Sequence, residues 1–333
     1  MVTQSLRVGR SWDDDFHGWA DEILLGRKYK KPAKASSSAS SWTGASVKPQ
    51  AVPEYPGKGT RQDVHGRLQG IARKSCQVVV KITGGGKTSK SIKSHFDYLS
   101  REGELTLRDQ DGREITGAQA LDGLAWGWKY TGPAMDESGG RKEAFNIVFS
   151  MPEGSDERAV YAAIKSTAEN EFSGHQWVIV QHFDEPQVHA HVCVKAESME
   201  GLRLNPRKAD LQRWRDRFAY ELRERGIQAE ATRRVARLNQ ERINKPWAVT
   251  RLEERGAPTN PAPAQPKAER VKAWDKLEGQ ASSAYEKIID ALGKSDDAAD
   301  RILGQELQGA MTAKVKTKQR AAEKPPTKEI ERG

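Results

Sequence analysis

Short apolar segments and amphipathic helical patterns alternate in the middle of the chain, between residue 76 and about residue 250. Apolar, β-branched runs predict strands at residues 77–83, 144–151, 176–182 and 189–196. Apolar positions at steps of three and four predict helices at residues 89–101, 118–130, 156–172 (with Ser155 as N-cap) and 205–226. A turn at 109–112 predicts a hairpin between 104–108 and 113–116. This irregular alternation predicts an α+β fold with a central, mostly antiparallel sheet flanked by helices.

The segments on either side have a different composition. Residues 1–75 contain a short amphipathic pattern followed by a linker rich in Ser, Pro and Lys. In residues 251–333, a narrow apolar stripe from Val271 to Leu292 predicts a helix that packs against a partner helix. The Lys-rich tail, residues 315–333, is expected to be disordered. The positions that form the N-terminal amphipathic pattern are Phe16, Trp19, Ala20 and Ile23.

The composition narrows the class of protein. The chain has 333 residues, 36% of them hydrophobic, and a mean hydropathy of −0.79, which predicts one or two folded domains plus linkers. No apolar run approaches the ~18 residues of a spanning helix, and no signal-peptide pattern is present. Two cysteines, Cys76 and Cys193, exclude a disulfide scaffold and a four-cysteine zinc site. We therefore expect a cytoplasmic protein without stable membrane insertion.

Positive charge is concentrated in one segment. The net charge is +9, and residues 201–245 hold 13 of the basic residues but only six of the acidic ones. Such a segment indicates either a nucleic-acid partner or a solvated helix face. The basic residues of the predicted helix lie mainly outside its apolar stripe, where they could follow a phosphate backbone without reading sequence. These candidates are Arg207, Lys208, Arg213 and Arg217.

Three of the seven histidines fall within ten residues. His189 and His191 are two apart on a predicted strand, so their side chains share a face. His182 ends the preceding strand, and a short turn between the strands would bring it beside them. Three imidazoles on one surface form a divalent-metal site with open positions, although polar residues on a solvated hairpin are the alternative. Asp184 is placed to accept a ring N–H of a ligand histidine and fix its tautomer.

Tyr98 is the candidate nucleophile. On the predicted helix it lies away from the apolar stripe, so it is poorly placed for the core. Tyrosine in a helix is more often a packing residue, and a free phenol is a weak nucleophile at neutral pH. A metal that neutralises a phosphate would supply a polarised electrophile, which connects Tyr98 with the histidines. Without such a nucleophile, three imidazoles favour a zinc hydrolase that uses metal-bound water.

Weaker candidates lie in two loops. The turn formed by Gly84, Gly85 and Gly86 precedes the Tyr98 helix, and with Lys87 it could hold one backbone phosphate at the helix N-terminus. Ordinary turn chemistry explains these glycines equally well. Ser150 ends a predicted strand and could contact substrate, although surface serines are common.

These pieces resemble the motifs of conjugative DNA relaxases of the MOBP type, the group that includes the T-DNA border endonucleases. In the family's order they are a Gly-rich loop before the Tyr98 helix, a strand ending in Ser150-Met151-Pro152, and the three-histidine motif. The similarity covers roughly residues 76–245 and implies an HUH-type nicking domain in residues 76–250. The chain departs from the family pattern at three positions. It has Asn146 where the family often has His, Val188 where it often has Pro, and Lys195 where it often has Asn.

The resemblance implies a mechanism and partners. Tyr98 would cut one strand at an origin of transfer and stay joined to the 5′ phosphate, while His182, His189 and His191 would hold Mg²⁺ or Mn²⁺. Asp184 would support the ligands or assist proton removal from Tyr98, and Ser150 would contact DNA near the nick. Accessory proteins of the relaxosome, a type IV coupling protein and its secretion system would be partners. The protein would be exported with its DNA, using signals in residues 251–333.

Three alternative functions remain open at the level of sequence. A rolling-circle replication initiator shares the chemistry but often places its tyrosine after the histidines, whereas Tyr98 precedes them. A metal-dependent phosphodiesterase that uses water would not need Tyr98. A DNA-binding module with a structural metal would form no covalent adduct.

Overall fold

The computed structural model describes residues 60–238 and 268–323, together with Phe16, Trp19 and Ala20. These residues form two compact units, one made of residues 75–231 and the other of the remainder. Among the helices described, none combines the length and the hydropathy needed to span a bilayer. The helices are, in chain order, α1 (Arg61–Ala72), α2 (Ser89–Leu99), α3 (Ala118–Tyr130), α4 (Glu157–Glu171), α5 (Lys208–Arg223), α6 (Ala268–Gly293) and α7 (Ala298–Glu323).

A six-stranded sheet forms the centre of residues 75–231, and every neighbouring pair in it is antiparallel. Two further strands, β1 (Cys76–Gln77) and β8 (Ala229–Glu230), pair in parallel on their own. The predicted α+β fold is thereby confirmed, although the strand predicted at 77–83 is interrupted at Val78. The strands of the large sheet are β2 (Val79–Gly84), β3 (Leu107–Asp109), β4 (Glu114–Ile115), β5 (Ala144–Met151), β6 (Trp177–His182) and β7 (Val188–Lys195), in the order β2-β5-β7-β6-β3-β4.

Helices cover both faces of this sheet. Because strand side chains alternate between faces, Ile179 and Val192 pack with α4 and α5, whereas Val178 and Val180 pack with α2 and α3. The α4–α5 side carries the larger core, which includes Phe149, Phe172, Trp214 and Phe218. The α2–α3 side is completed by Phe96 and Trp128, whose rings meet edge to face 4.9 Å apart.

Helix α2 has well-defined signals at both ends. The Thr88 side chain accepts from the backbone N–H of Ser91, and the Ser91 side chain caps Thr88 in return. After Ser100, Arg101 and Glu102 adopt left-handed φ angles of 53° and 59°. The helix therefore ends at Leu99, two residues earlier than predicted, in a tight turn closed by residues outside the helical region.

Other helix boundaries differ from the prediction for local reasons. Asp156, not Ser155, is the N-cap of α4, because its carboxylate accepts two backbone N–H groups while the Ser155 hydroxyl donates to the Pro152 carbonyl. Helix α5 begins at Lys208 and not at the predicted Asn205, since Asp210 accepts the N–H of Arg207 and fixes the start there.

The second unit is helical. It supplies a partner for the predicted stripe, contains one helix that was not predicted, and corrects the expectation for part of the tail. The Val271–Leu292 stripe lies on α6, and its partners, α7 and the short 3₁₀ helix Arg234–Ala236, belong to the same chain. Helix α1 was not predicted, and residues 315–323 are helical as part of α7. Phe16 and Ala20 are buried in this core, whereas Ile23, the linker before residue 60 and the tail from residue 324 lie outside the described residues.

Candidate metal centre and active site

The three histidines lie side by side on one face of the sheet. His182 on β6 is directly opposite His189 on β7, and His191 is opposite Val180, so the strand register places all three on the α2–α3 side. The ring centroids are 5.6, 4.5 and 5.4 Å apart for the pairs 182–189, 182–191 and 189–191. One nitrogen from each ring lies within 4.8 Å of the others, which suits a single ion.

Backbone carbonyls fix the tautomers of two of these rings. His182 donates from Nε2 to the carbonyl of Leu99 over 2.8 Å, and His189 donates from Nδ1 to the carbonyl of Gln187 over 2.9 Å. A carbonyl oxygen only accepts, so these ring nitrogens carry protons. The lone pairs of His182 Nδ1 and His189 Nε2 are then left for a metal.

Burial disfavours the charged form of two of the three rings. Desolvation lowers the pKa of His191 to about 3, helped by the neighbouring histidines, and it also lowers the pKa of His182. Neutral imidazoles are the form that binds metal, so the burial of His182 and His191 favours metal binding. Three nitrogen donors with further positions open fit a divalent transition metal.

Tyr98 lies at the end of α2, one residue before the carbonyl that accepts from His182. Its side chain is 60% exposed, so the hydroxyl is accessible to a large substrate. The ring stacks with that of His95 at 6.1 Å, and the Arg101 guanidinium lies 5.5 Å from its centre. The helix end therefore brings Tyr98 against His95 and Arg101, next to the residue whose carbonyl binds His182.

Two residues of this site were not identified from the sequence. The Nε2 atom of His95 is buried and has no hydrogen-bond partner among the described residues. Burial lowers the pKa of His95 to about 4, and this ring is close enough to His191 to affect it. Arg101 contacts both Tyr98 and Asp184. His95 could have been identified from the sequence, because it is three positions before Tyr98 and residues at this spacing are neighbours on a helix.

Asp184 has a different partner from the one expected. Its carboxylate pairs with the Arg101 guanidinium, and the described hydrogen bonds include none between Asp184 and a ring nitrogen. Burial alone would raise the pKa of this carboxyl. The net pKa is lowered, because the carboxylate accepts from its own backbone N–H and lies near Arg101, His182 and His189. The expectation that Asp184 fixes a histidine tautomer is wrong for His182 and His189, because backbone carbonyls take that place.

Ser150 lies in the same row of the sheet as two of the histidines. Its β5 position is directly opposite His189 on β7, which in turn is opposite His182 on β6. Side chains opposite each other on neighbouring strands share a face, so Ser150 borders the three histidines.

The glycine turn packs against the protein's own atoms. A Cβ on Gly85 would lie 2.3 Å from the Ala144 carbonyl oxygen, and one on Gly86 would lie 2.4 Å from Ile92. The N–H groups of Lys87 and Thr88 donate to the Ser91 hydroxyl, and that of Ser89 donates to Glu137. The backbone N–H groups of Lys87, Thr88 and Ser89 are therefore occupied within the protein. A phosphate site at Gly85, Gly86 and the exposed Lys87 side chain stays a prediction.

The basic residues of α5 are divided between the surface and the interior. Arg217 is buried beside Glu171, and Arg213 pairs with Glu171 and Asp210 at 2.7 and 2.8 Å. The prediction that Arg213 and Arg217 lie outside the buried stripe is wrong for Arg217, and both are engaged in internal ion pairs. Arg207 and Lys208 are exposed, but α5 packs on the sheet face opposite the histidines.

Residues 127–227 match the family described as relaxase, MobA/VirD2-like, nuclease domain. The chain resembles the MobA/VirD2-like relaxases. The relaxase match contains Ser150, Asp184 and the three histidines, whereas Tyr98 precedes it. No solved structure matches the chain.

Curated relatives agree with the relaxase match. The chain is 28% identical over 182 residues to the T-DNA border endonuclease VirD2 of Rhizobium radiobacter, covering 48% of this chain and 43% of that protein. The same identity over 182 residues links it to the VirD2 of Agrobacterium fabrum, covering 48% and 40%. The chain thus spans less than half the length of these relatives.

Proposed function

We propose that this protein is a metal-dependent relaxase that nicks and rejoins one DNA strand at an origin of transfer through a covalent bond to Tyr98. One observation carries the proposal. The carbonyl of Leu99, at the end of the Tyr98 helix, accepts a hydrogen bond from His182, a member of the three-histidine cluster. A tyrosine and a three-histidine metal site that are connected in this way suit phosphoryl transfer to a protein side chain.

The proposed reaction transfers one phosphodiester bond. The Tyr98 hydroxyl loses its proton and its oxygen attacks the scissile phosphorus. The bond from phosphorus to the 3′ oxygen breaks, and that oxygen takes up a proton to become a free 3′ hydroxyl. The 5′ phosphate stays joined to Tyr98, so the diester is conserved and the reverse reaction rejoins the strand without ATP.

His182, His189 and His191 would hold Mg²⁺ or Mn²⁺, the ions that the family resemblance favours. The bound ion supplies positive charge that polarises the scissile phosphate. Three imidazoles also suit other transition metals, and they favour Mn²⁺ over Mg²⁺, which prefers oxygen ligands.

Neighbouring side chains would orient the reactants. Arg101 lies against Tyr98 and is held by Asp184, so it can place the phenol and contact a phosphate oxygen. Ser150 would contact DNA beside the metal, and Asp184 would receive the tyrosine proton. The exposed Lys87, Arg207 and Lys208 would contact DNA farther away.

The wider context is also proposed. The resemblance to VirD2 supports a reaction at the start of DNA transfer through a type IV secretion system, with accessory proteins and a coupling protein as partners. The protein would act in the cytoplasm and then leave with its DNA. The tail proposed to carry an export signal extends beyond the described residues.

The test is the covalent adduct. Purified protein is incubated with Mn²⁺ or Mg²⁺ and supercoiled plasmid that carries the upstream DNA, and the sample is denatured in SDS. We expect protein joined to a 5′ end in the wild type, and none with Tyr98→Phe or His189→Ala. The matched control is Tyr220→Phe, which removes a half-buried phenol on α5 and should leave the adduct intact.

Other outcomes would assign another function. Nicking that survives Tyr98→Phe without any adduct would identify a water-dependent phosphodiesterase. Metal-dependent adduct formation at a replication origin, and not at a transfer origin, would identify a rolling-circle initiator. Absence of nicking on both supercoiled and single-stranded origin DNA would leave a non-enzymatic DNA-binding module.

A further inference from the structure

Helix α3 exposes two large aromatic side chains one turn apart. Trp126 is 65% exposed and Tyr130 is 60% exposed. Their ring centroids are 4.9 Å apart and the rings are tilted by 46°, so they form a continuous aromatic surface. Exposed apolar side chains that lie together often mark a binding surface, whereas single ones are ordinary.

This pair is not needed to build the core. The opposite side of α3 already buries Leu121 and Trp128 against the sheet, which satisfies the amphipathic pattern of the helix. Met199, 51% exposed, extends the apolar surface at the same end, since a Cβ on Gly132 would lie 2.8 Å from its sulfur. The aromatic pair therefore calls for an explanation other than folding.

Charged groups border the aromatic pair. The Lys129 ammonium lies 5.3 Å from the centre of the Tyr130 ring. The exposed Lys87 and Lys90 lie on either side of Ser89, whose backbone N–H donates to Glu137. Glu137 pairs with Lys129 at 3.8 Å, so the local positive charge is moderated. Aromatic rings among a few cations are typical of surfaces that bind single-stranded nucleic acid, where stacking supplies affinity and cations contact phosphates.

We propose that Trp126 and Tyr130 form a stacking platform for unpaired bases of a single DNA strand. This inference rests on the proposed function, because it extends the substrate surface away from Tyr98. Helix α3 packs against α2, with Lys93 of α2 paired with Asp122 of α3 at 3.1 Å. Both helices cover the sheet face that carries the histidines. A strand that leaves Tyr98 along these two helices meets the platform.

The surroundings favour DNA over a protein partner. A stable protein interface has a contiguous apolar centre from which charged residues are depleted. Here Asp122, Lys129 and Glu137 surround only two rings and one methionine. Base stacking needs no more apolar area than an exposed ring face, and it tolerates nearby charge.

The experiment measures single-strand affinity with the full chain. A fluorescently labelled oligo-dT of about 20 nucleotides is titrated in EDTA, which prevents cleavage. We expect Trp126→Ala and Tyr130→Ala each to weaken binding roughly tenfold. Trp126→Phe and Tyr130→Phe keep a ring and should stay within about twofold of wild type. Ile302→Ala, an exposed apolar residue of α7, is the control and should not change affinity.

A second measurement locates the DNA. Oligo-dT carrying 5-iododeoxyuridine is photocrosslinked and the joined residues are mapped by mass spectrometry, with Trp126 and Tyr130 expected among them. Unchanged affinity in the double alanine variant, or crosslinks confined to other surfaces, would overturn the platform. So would a loss of self-association on gel filtration without a loss of DNA affinity, which would assign the surface to a second copy of the chain.

The platform and the proposed function can fail separately. If the alanine variants form the adduct at saturating DNA and bind oligo-dT with wild-type affinity, the stacking platform is wrong but the proposed relaxase function stands. If the wild type forms no adduct but the alanine variants bind oligo-dT more weakly than the wild type, the relaxase proposal is wrong and the single-strand binding surface stands.

Discussion

At the scale of single residues, Arg101 has an unusual backbone. Its φ angle of 53° lies in the left-handed region, which costs a non-glycine residue about 1 kcal/mol. Its ion pair with Asp184 is more than a third exposed and contributes little stability. The contact between this arginine and Tyr98, together with its left-handed conformation, supports the proposal that its side chain acts in the reaction.

Arg101→Gly should therefore separate stability from activity. We expect the free energy of unfolding to rise by about 0.5–1 kcal/mol, since the left-handed conformation is relieved. Adduct formation should fall at least tenfold, because the guanidinium beside Tyr98 is lost. Denaturant unfolding and the SDS adduct assay measure the two effects.

Glu102→Gly is the matched control for that prediction. Glu102 is the next residue, with a φ angle of 59°, and its exposed side chain has no place in the proposed site. This variant should gain similar stability and retain the adduct. Equal loss of activity in both variants would mean that the turn, and not the Arg101 side chain, is required.

The sequence predicted the orientation of a side chain where the local periodicity determines it. It did not predict the partner of a side chain where that partner is distant in the chain. The period of two along β7 was enough to put His189 and His191 on one face. Nothing local shows that Arg101 reaches Asp184, 83 positions away. Arg217 was expected at the surface because charged side chains usually are, but Glu171 receives it in the interior.

At the scale of elements, Lys195 joins strand β7 to the end of α3. Its buried ammonium donates to the carbonyls of Trp128 and Thr131, at 2.7 and 2.9 Å, and to Gln176. The last carbonyls of a helix lack partners within the helix, so this side chain caps α3 from the sheet. Burial lowers the pKa of Lys195, while the negative charges of Glu197 and Glu143 act in the opposite direction.

Lys195→Met should lower the free energy of unfolding by about 2 kcal/mol. Methionine keeps the apolar stem but leaves buried carbonyls without donors, each costing about 1 kcal/mol or more. Urea unfolding followed by circular dichroism measures the change. Lys165→Met removes an exposed pair with Glu169 and should cost no more than about 0.5 kcal/mol. A similar small effect for Lys195→Met would contradict the capping role.

Elements with strong periodicity were predicted closely. The bounds of α3 and β5, residues 118–130 and 144–151, were predicted to the residue because their patterns are long and end in clear turn signals. The Val271–Leu292 stripe correctly predicted a helix that needs a partner, but a stripe does not identify which helix supplies it. That partner is α7, whose own pattern is weaker and whose last residues, from 315 to 323, fall in the segment predicted to be a disordered tail.

At the scale of the whole molecule, the proposed chemistry belongs to one of the two compact units. The histidines, Tyr98, Ser150 and Arg101 all lie within residues 75–231. A metal bound there binds the folded state of that unit and stabilises it, because the unfolded chain does not hold three imidazoles together. The thermal unfolding of the full chain should report this stabilisation without any DNA.

The last prediction is a metal-dependent shift in unfolding. Mn²⁺ at about 100 times its dissociation constant should add about 2.7 kcal/mol to the free energy of unfolding, which raises the melting temperature by several degrees relative to EDTA. His189→Ala should abolish this shift. The matched control is His175→Ala, since the His175 ring also bonds a backbone carbonyl at 2.9 Å but lies outside the cluster. A shift that survives His189→Ala, or one lost equally in His175→Ala, would place the metal elsewhere and remove the support that the cluster gives to Tyr98.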